Sequence, residues 1–422
     1  MRRPSWLRRR IYAGWGIVAA LSFTETISWG ILYYGFGVFL PAMRREFGWP
    51  TSVLSGAFSV ALLLSGLFAP IVGRWLDEHG PRLVMTAGSL VATVLLLAWA
   101  HVSTVVPFYL VWAGLGCCMA CVLYDPAFAV IAKWFWRRRR AALTTLTLVA
   151  GLASVIFSPL NAWLIAQLGW RHALVVLALV LGLGTVPLHA LILRPAPSAA
   201  EILAAEGGTA TDDASSTSHP ERSMELASAV RTAAFWGLTG ALVLSALLTA
   251  TVSVYLVSYL VERGMSVLAA SSVAGLVGLA QLPGRLLFVP LARVLSERFA
   301  TPVMFWLQAA GLALLLLFPS TAGAILAVIL FGIGNGMITL VRAARPAELF
   351  GSARYGSVAG VIAFWATIAR AIAPTLVGLL VSHWNGFALP FWLLVGAGGL
   401  AGLAAWLAEW RAAQVLRLRL SA

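Results

Sequence analysis

Leu276-Val277-Gly278-Leu279-Ala280-Gln281-Leu282-Pro283-Gly284-Arg285-Leu286-Leu287-Phe288 sets one arginine inside an apolar run from about Val267 to Leu291. At about 1.5 Å per residue a run of this length crosses the ~30 Å hydrocarbon core as a helix. An arginine at such depth is costly unless it faces a partner or a water-filled cavity, which makes Arg285 a candidate functional residue. The competing reading is a long stem snorkelling to the headgroups. Apolar residues from Leu286 to Ala292 still follow Arg285 before Arg293, and they favour function.

Composition points the same way. The 422 residues are 61% hydrophobic and 10% charged, whereas a soluble domain is roughly half apolar and about a quarter charged. The apolar segments are long and continuous rather than alternating, so the fold class is all-α integral membrane. A net charge of +14 would suit nucleic acid, but the basic residues gather in short inter-helix loops, so no nucleic-acid partner is expected. Cys117, Cys118 and Cys121 share one apolar helix without a further ligand nearby, and read as small packing residues rather than a metal site. No Walker loop, phosphate cradle or catalytic triad is present, so an ATP-driven pump is not expected; the leading reading is a transporter without cofactor rather than an enzyme.

Twelve helices are expected, at Tyr12–Met43, Val53–Leu76, Leu83–Ala100, Val105–Ala132, Ala141–Leu168, Ala173–Leu193, Thr232–Val261, Val267–Leu291, Pro302–Phe318, Ala322–Val341, Tyr355–Val381 and Gly386–Trp410. The basic stretch Met1 to Arg10 precedes a run too long for a signal-peptide core, so that run is read as the first spanning helix. With Met1 inside the cell, one set of segments holds most arginines, including Arg137–Arg140. The other holds only Arg44, Arg45, Arg171 and Arg263. Both termini are therefore placed in the cytoplasm. Compact loops suggest a bacterial inner membrane. The Arg137–Arg140 run suits anionic lipid headgroups.

The polar, small-residue-rich stretch 194–228 reads as a cytoplasmic linker. It divides the chain into six-helix bundles at 1–193 and 229–422, the repeat plan of many transporters. Weak internal similarity supports the division: Ile156-Phe157-Ser158-Pro159-Leu160 is echoed by Ala371-Ile372-Ala373-Pro374-Thr375-Leu376.

Gly73-x-x-x-Asp77-x-x-Gly80-x-Arg82, between the second and third helices, resembles the signature loop of the major facilitator superfamily. The twelve-helix plan and central linker agree. The resemblance implies two pseudo-symmetric bundles, usually in a monomer, and an Asp77/Arg82 ion-pair latch that biases alternating access, with Gly73 and Gly80 shaping the loop. Arg342 to Gly351 would be a segment closing the cytoplasmic side.

Four charged residues lie within the spans: Glu25, Asp125, Arg285 and Arg370. Arginine suits an anionic substrate because its guanidinium stays charged and presents a planar fork to a carboxylate. Arg285 and Arg370 are thus candidate substrate ligands. Glu25 and Asp125 are candidate proton carriers, since a desolvated carboxylate can exchange protons near neutral pH. The four could equally be interhelical ion pairs. Gly30-Ile31-Leu32-Tyr33-Tyr34-Gly35-Phe36-Gly37-Val38-Phe39, Glu46-Phe47-Gly48-Trp49 and Leu54-Ser55-Gly56-Ala57-Phe58-Ser59 resemble the monocarboxylate transporter and oxalate:formate antiporter branch. That branch implies a substrate carboxylate on Arg285. It also places an aspartate, in monocarboxylate porters, where this chain has Gln281. Tyr33, Tyr124 and Asn335 would line the path with Gln281. The expected function is a secondary transporter of small organic anions, by proton symport or anion exchange. The alternatives are a proton-driven drug or cation exporter using Glu25 and Asp125, and a membrane enzyme or sensor on the same scaffold.

Overall fold

The computed structural model describes residues 13–197, 201–202, 224–295, 297–384 and 386–420, so most of the expected linker lies outside the described residues. Hydrocarbon offers no hydrogen bonds to a bare backbone, and a chain this apolar resolves the problem by bonding within each segment. Among the described residues the elements are helices joined by short turns. Eleven continuous stretches of the described residues are long and apolar enough to span a bilayer.

We number the spans α1 (Gly14–Phe47), α2 (Val53–His79), α3 (Pro81–Ala100) and α4 (Val105–Trp134). The 54-residue stretch Arg139–Ile192 is broken at Gly169, where φ 74° and ψ 158° take the chain out of the helix. A β-carbon disfavours that conformation and glycine has none. The break separates α5 (139–168) from α6 (170–192), which makes twelve candidate spans among the described residues, the number expected. The rest are α7 (Ala233–Glu262), α8 (Val267–Val294), α9 (Glu297–Leu317), α10 (Thr321–Phe350), α11 (Tyr355–His383) and α12 (Ala388–Leu420).

Two compact units result. The first joins Met1–Ser223 with Gly351–Gly360; the second joins Met224–Phe350 with Val361–Ala422. An aromatic core knits the first, where Trp112 meets Phe36, Phe58, Trp99 and Phe108 edge-on. In the second, Tyr259, Phe387 and Phe391 pack with Leu248, Leu256 and Phe331.

The second unit is drawn tight where α8 meets α10. A β-carbon on Gly284 would stand 2.3 Å from the Ile333 carbonyl oxygen, and one on Gly336 would stand 2.3 Å from that of Gln281. Small residues let membrane helices approach until dispersion and polar contacts hold them, because lipid supplies no hydrophobic push. The opposite face of α8 carries Leu279, Leu286 and Leu287, all exposed.

One expectation is corrected. The segment Arg342–Phe350 is not a loop after α10 but its last turns, with Pro346 inside the helix. Ala343, Ala344 and Ala347 are fully buried there. Arg345 binds Glu348 one turn on and Glu409 on α12, while Thr301 Oγ1 of α9 donates to Glu409 Oε1 at 2.8 Å. A buried guanidinium needs both carboxylates, and that demand overrides the local turn signals.

Gly284→Val should lower the melting temperature of purified protein, by an overpacking cost of about 1–3 kcal/mol. Gly278→Ala, at an exposed position where an added β-carbon has nothing within 4 Å, should leave it unchanged.

Candidate functional site

In the first unit α1 departs from α-geometry at a π-helical turn, Trp29–Tyr33. Such turns hold one extra residue and release a backbone acceptor. Here the Gly30 carbonyl accepts from Asn161 Nδ2 of α5 at 3.3 Å. Just before the turn, Glu25 is fully buried. Its Oε2 accepts from Trp29 Nε1 at 3.0 Å, while Oε1 has no hydrogen-bond partner among the described residues. Trp29 in turn lies against Tyr33 and Tyr124, with both ring centroids 4.9 Å away. Helix α4 breaks at Leu123, and Asp125 sits in the first turn after the break, close enough for its charge to bear on Glu25. Glu25, Tyr33 and Tyr124 are thus gathered around Trp29, with Asp125 next to Tyr124 in the chain. The sequence reading did not single out Trp29, although its i, i+4 spacing from Glu25 sets the two on one helix face.

The α2–α3 turn follows from its glycines. Gly80 has φ 77° and ψ 177°, and Pro81 opens α3 in the first helical position. A β-carbon on Gly73 would stand 1.9 Å from the Gly356 carbonyl oxygen, so the backbones of α2 and the start of α11 touch. That contact brings Asp77 to the α11 N-terminus, where helix amides lack intrahelical acceptors. Asp77 accepts from Gly356 N at 3.0 Å, from Ser357 N at 2.7 Å and from Ser357 Oγ at 2.7 Å. Lys133 Nζ of α4 lies 2.9 Å from Asp77 Oδ1. The cation paired with Asp77 is therefore Lys133. Arg82, expected in that role, is exposed and makes no ion pair among the described residues. Asp125 lines a small cleft beside this contact, with Gly73, Leu76, Gly356 and Gly360.

In the second unit Arg285 is only 6% exposed, so it does not lie out along the lipid as a snorkelling side chain would. It sits in the stretch where α8 grips α10. Gln281 belongs to the same stretch, and Asn335 of α10 stands beside Gly336, which meets the Gln281 carbonyl. Asn335 Oδ1 accepts from Thr249 Oγ1 of α7 at 3.0 Å. Behind it, Gln308 of α9 donates through Nε2 to Thr249 Oγ1 at 2.9 Å and accepts through Oε1 from Ser245 Oγ at 2.8 Å. Arg370 is half-buried on α11. Ser245, Thr249 and Gln308 went unremarked in the sequence. The signal was there: Gln308 interrupts the otherwise apolar run Pro302–Phe318, and polar residues inside spans mark either packing glue or a site.

The profile of the Major Facilitator Superfamily matches residues 18–374. The chain belongs to the major facilitator superfamily. As such it is a multi-pass membrane transporter and not an enzyme. Monocarboxylate transporter 13 of Bos taurus is 26% identical over 393 residues, which cover 92% of this chain and 87% of the relative. Among solved structures, the E. coli fucose:proton symporter FucP superposes with a TM-score of 0.71 at 13% identity, covering 92% of this chain and 97% of that one. The human organic anion transporter MFSD10 superposes with a TM-score of 0.68 at 16% identity, covering 94% and 99%. At those identities the structural likeness shows the transporter fold alone.

Lys133→Met in this transporter would leave the Asp77 carboxylate, whose side chain is fully buried, without its cation. Differential scanning fluorimetry should show a larger fall in melting temperature than for Ser357→Ala, which removes one hydrogen bond to a carboxylate, worth about 1.5–3 kcal/mol against about 3–5 kcal/mol for breaking a buried ion pair.

Proposed function

We propose that the protein carries small organic anions, mono- or dicarboxylates, by alternating access, in proton symport or anion exchange. The observation that carries this reading is Arg285, a buried guanidinium where α8 meets α10, with Gln281 and Asn335 in the same stretch. A fork of N–H donors held in a low-dielectric site matches a carboxylate in both charge and shape. Arg370, half-buried in the same unit, offers a second positive charge to a dianion. The similarity to monocarboxylate transporter 13 over 92% of the chain supports the substrate class.

Proton coupling, where it operates, falls to Glu25, with Asp125 beside it. The oxygen of Glu25 that has no partner among the described residues can take a proton without breaking a bond there. Gln281 cannot titrate, so it contributes hydrogen bonds only. Gly73, Asp77, Gly80 and Arg82 form the gate, with Asp77 on the α11 amides as its working contact. The distribution of basic residues puts both termini in the cytoplasm, the compact loops fit a bacterial inner membrane, and a monomer suffices.

A second reading, proton-driven export of cations, is favoured by one observation. Glu25 lies among Trp29, Tyr33 and Tyr124, and aromatic faces around a carboxylate attract an organic cation.

The deciding experiment is thermal stabilisation of purified protein by acetate, butanoate, 2-oxobutanoate, benzoate, oxalate and succinate, with lipophilic cations as controls. One class of carboxylate should stabilise the wild type and lose its effect in folded Arg285→Gln. Stabilisation by cations alone, or an Arg285→Gln protein that responds like the wild type, would overturn the anion reading. In proteoliposomes, Glu25→Gln should flatten the pH dependence of uptake, and an unaltered profile removes Glu25 from that role. Asp77→Asn should lower turnover severalfold while the half-saturating concentration stays within about twofold; the reverse pattern contradicts a gating role.

A further inference from the structure

The bonds Ser245–Gln308–Thr249–Asn335 run across three helices, and each has a direction. Ser245 Oγ donates to Gln308 Oε1 and thereby turns the other end of that amide, Nε2, toward Thr249. Thr249 Oγ1, having accepted from Gln308, has one proton. It lies between the Ser245 carbonyl at 2.9 Å and Asn335 Oδ1 at 3.0 Å. With its oxygen held by Thr249, the Asn335 carboxamide has its NH2 group turned away from α7. That nitrogen makes no bond among the described residues, and Asn335 is half-buried. Gln308 and Ser245 are by contrast almost wholly buried, at 1% and 3% exposed. A buried glutamine in a spanning helix is costly unless both ends are bonded, and here both are.

The arrangement also has a rigid base. Added β-carbons on Gly334 and Gly336 would stand 2.8 Å from Gln308 N and 2.3 Å from the Gln281 carbonyl oxygen. Helix α10 is therefore clamped between α9 and α8 on either side of Asn335, and the carboxamide has little backbone freedom. Its remaining freedom is rotation of the amide, and the Thr249 hydroxyl, whose one proton is shared between Asn335 Oδ1 and the Ser245 carbonyl, biases that rotation.

We propose that Gln308 and Thr249 are positioning residues that aim the Asn335 NH2 group at an oxygen of the transported anion. Neither needs to touch the substrate. Their contribution is to choose which end of the Asn335 amide the anion meets, since the carbonyl end would repel it. The proposal rests on the organic-anion reading.

The test measures the dissociation constant, by thermal stabilisation, of whichever of the carboxylates named above binds the wild type best. Asn335→Ala and Gln308→Leu should each weaken binding about tenfold, the scale of one hydrogen bond to a charged group. The double variant should be no weaker than Asn335→Ala alone, because Gln308 acts through Asn335. Thr249→Val should lose affinity and Thr249→Ser should retain it, a pair that serves even if Gln308→Leu does not fold. Wild-type affinity in Gln308→Leu and in Thr249→Val, or losses in the double variant that multiply to about a hundredfold, would overturn the positioning role and leave the anion reading standing. A folded wild type that binds none of the carboxylates overturns the anion reading itself, and the target of the relay with it.

Discussion

Inside hydrocarbon a polar group has only the protein to bond with, and this scarcity organises the whole chain. The backbone answers it by becoming helix. Most hydroxyls answer it locally: Thr26, Thr93, Thr185 and Thr251 each donate to a carbonyl four residues back in their own helix. A few polar side chains instead reach across to another helix, and these mark where the fold is more than a bundle of apolar rods. Asn161 on Gly30, Asp77 on Gly356 and Ser357, and the Ser245–Gln308–Thr249–Asn335 series are of this kind.

Such bonds are short-ranged and need backbones to be close, which is the task of the glycines. Gly73 against Gly356 brings a carboxylate within reach of a helix terminus. Gly284 against Ile333 and Gly336 against Gln281 do the same for the stretch that carries Arg285. Close approach and polar bonding are thus one device seen twice, once in each unit, with different chemistry placed on it.

Much of this was legible in the sequence. The apolar runs announced the spans, and the break at Gly169 fell next to the expected end of a helix at Leu168. Arg285 declared itself by being an arginine where lipid forbids one. What stayed hidden was tertiary. The partners of Asp77 come from α4 and from a helix start 280 positions along the chain, and no spacing rule links them. The last turns of α10 read as loop because arginine, proline and glycine cluster there, but the ionic bonds of Arg345 hold them helical. The π-helical turn left no trace in the side-chain pattern, since it is a change in backbone pairing.

That turn also bears on how this chain is laid beside its relatives. A π turn is what an α-helix becomes when one residue is inserted without pushing either flank out of place. Residues on the two sides of Trp29–Tyr33 are therefore out of phase by about 100° relative to an unbroken helix. A helical wheel drawn through all of α1 would put Glu25 and Tyr33 on the wrong faces relative to each other. Where a relative has a plain helix, the correct alignment opens a single-residue gap inside this turn, and any residue equivalence carried from Tyr33 back to Glu25 without that gap is wrong by one position.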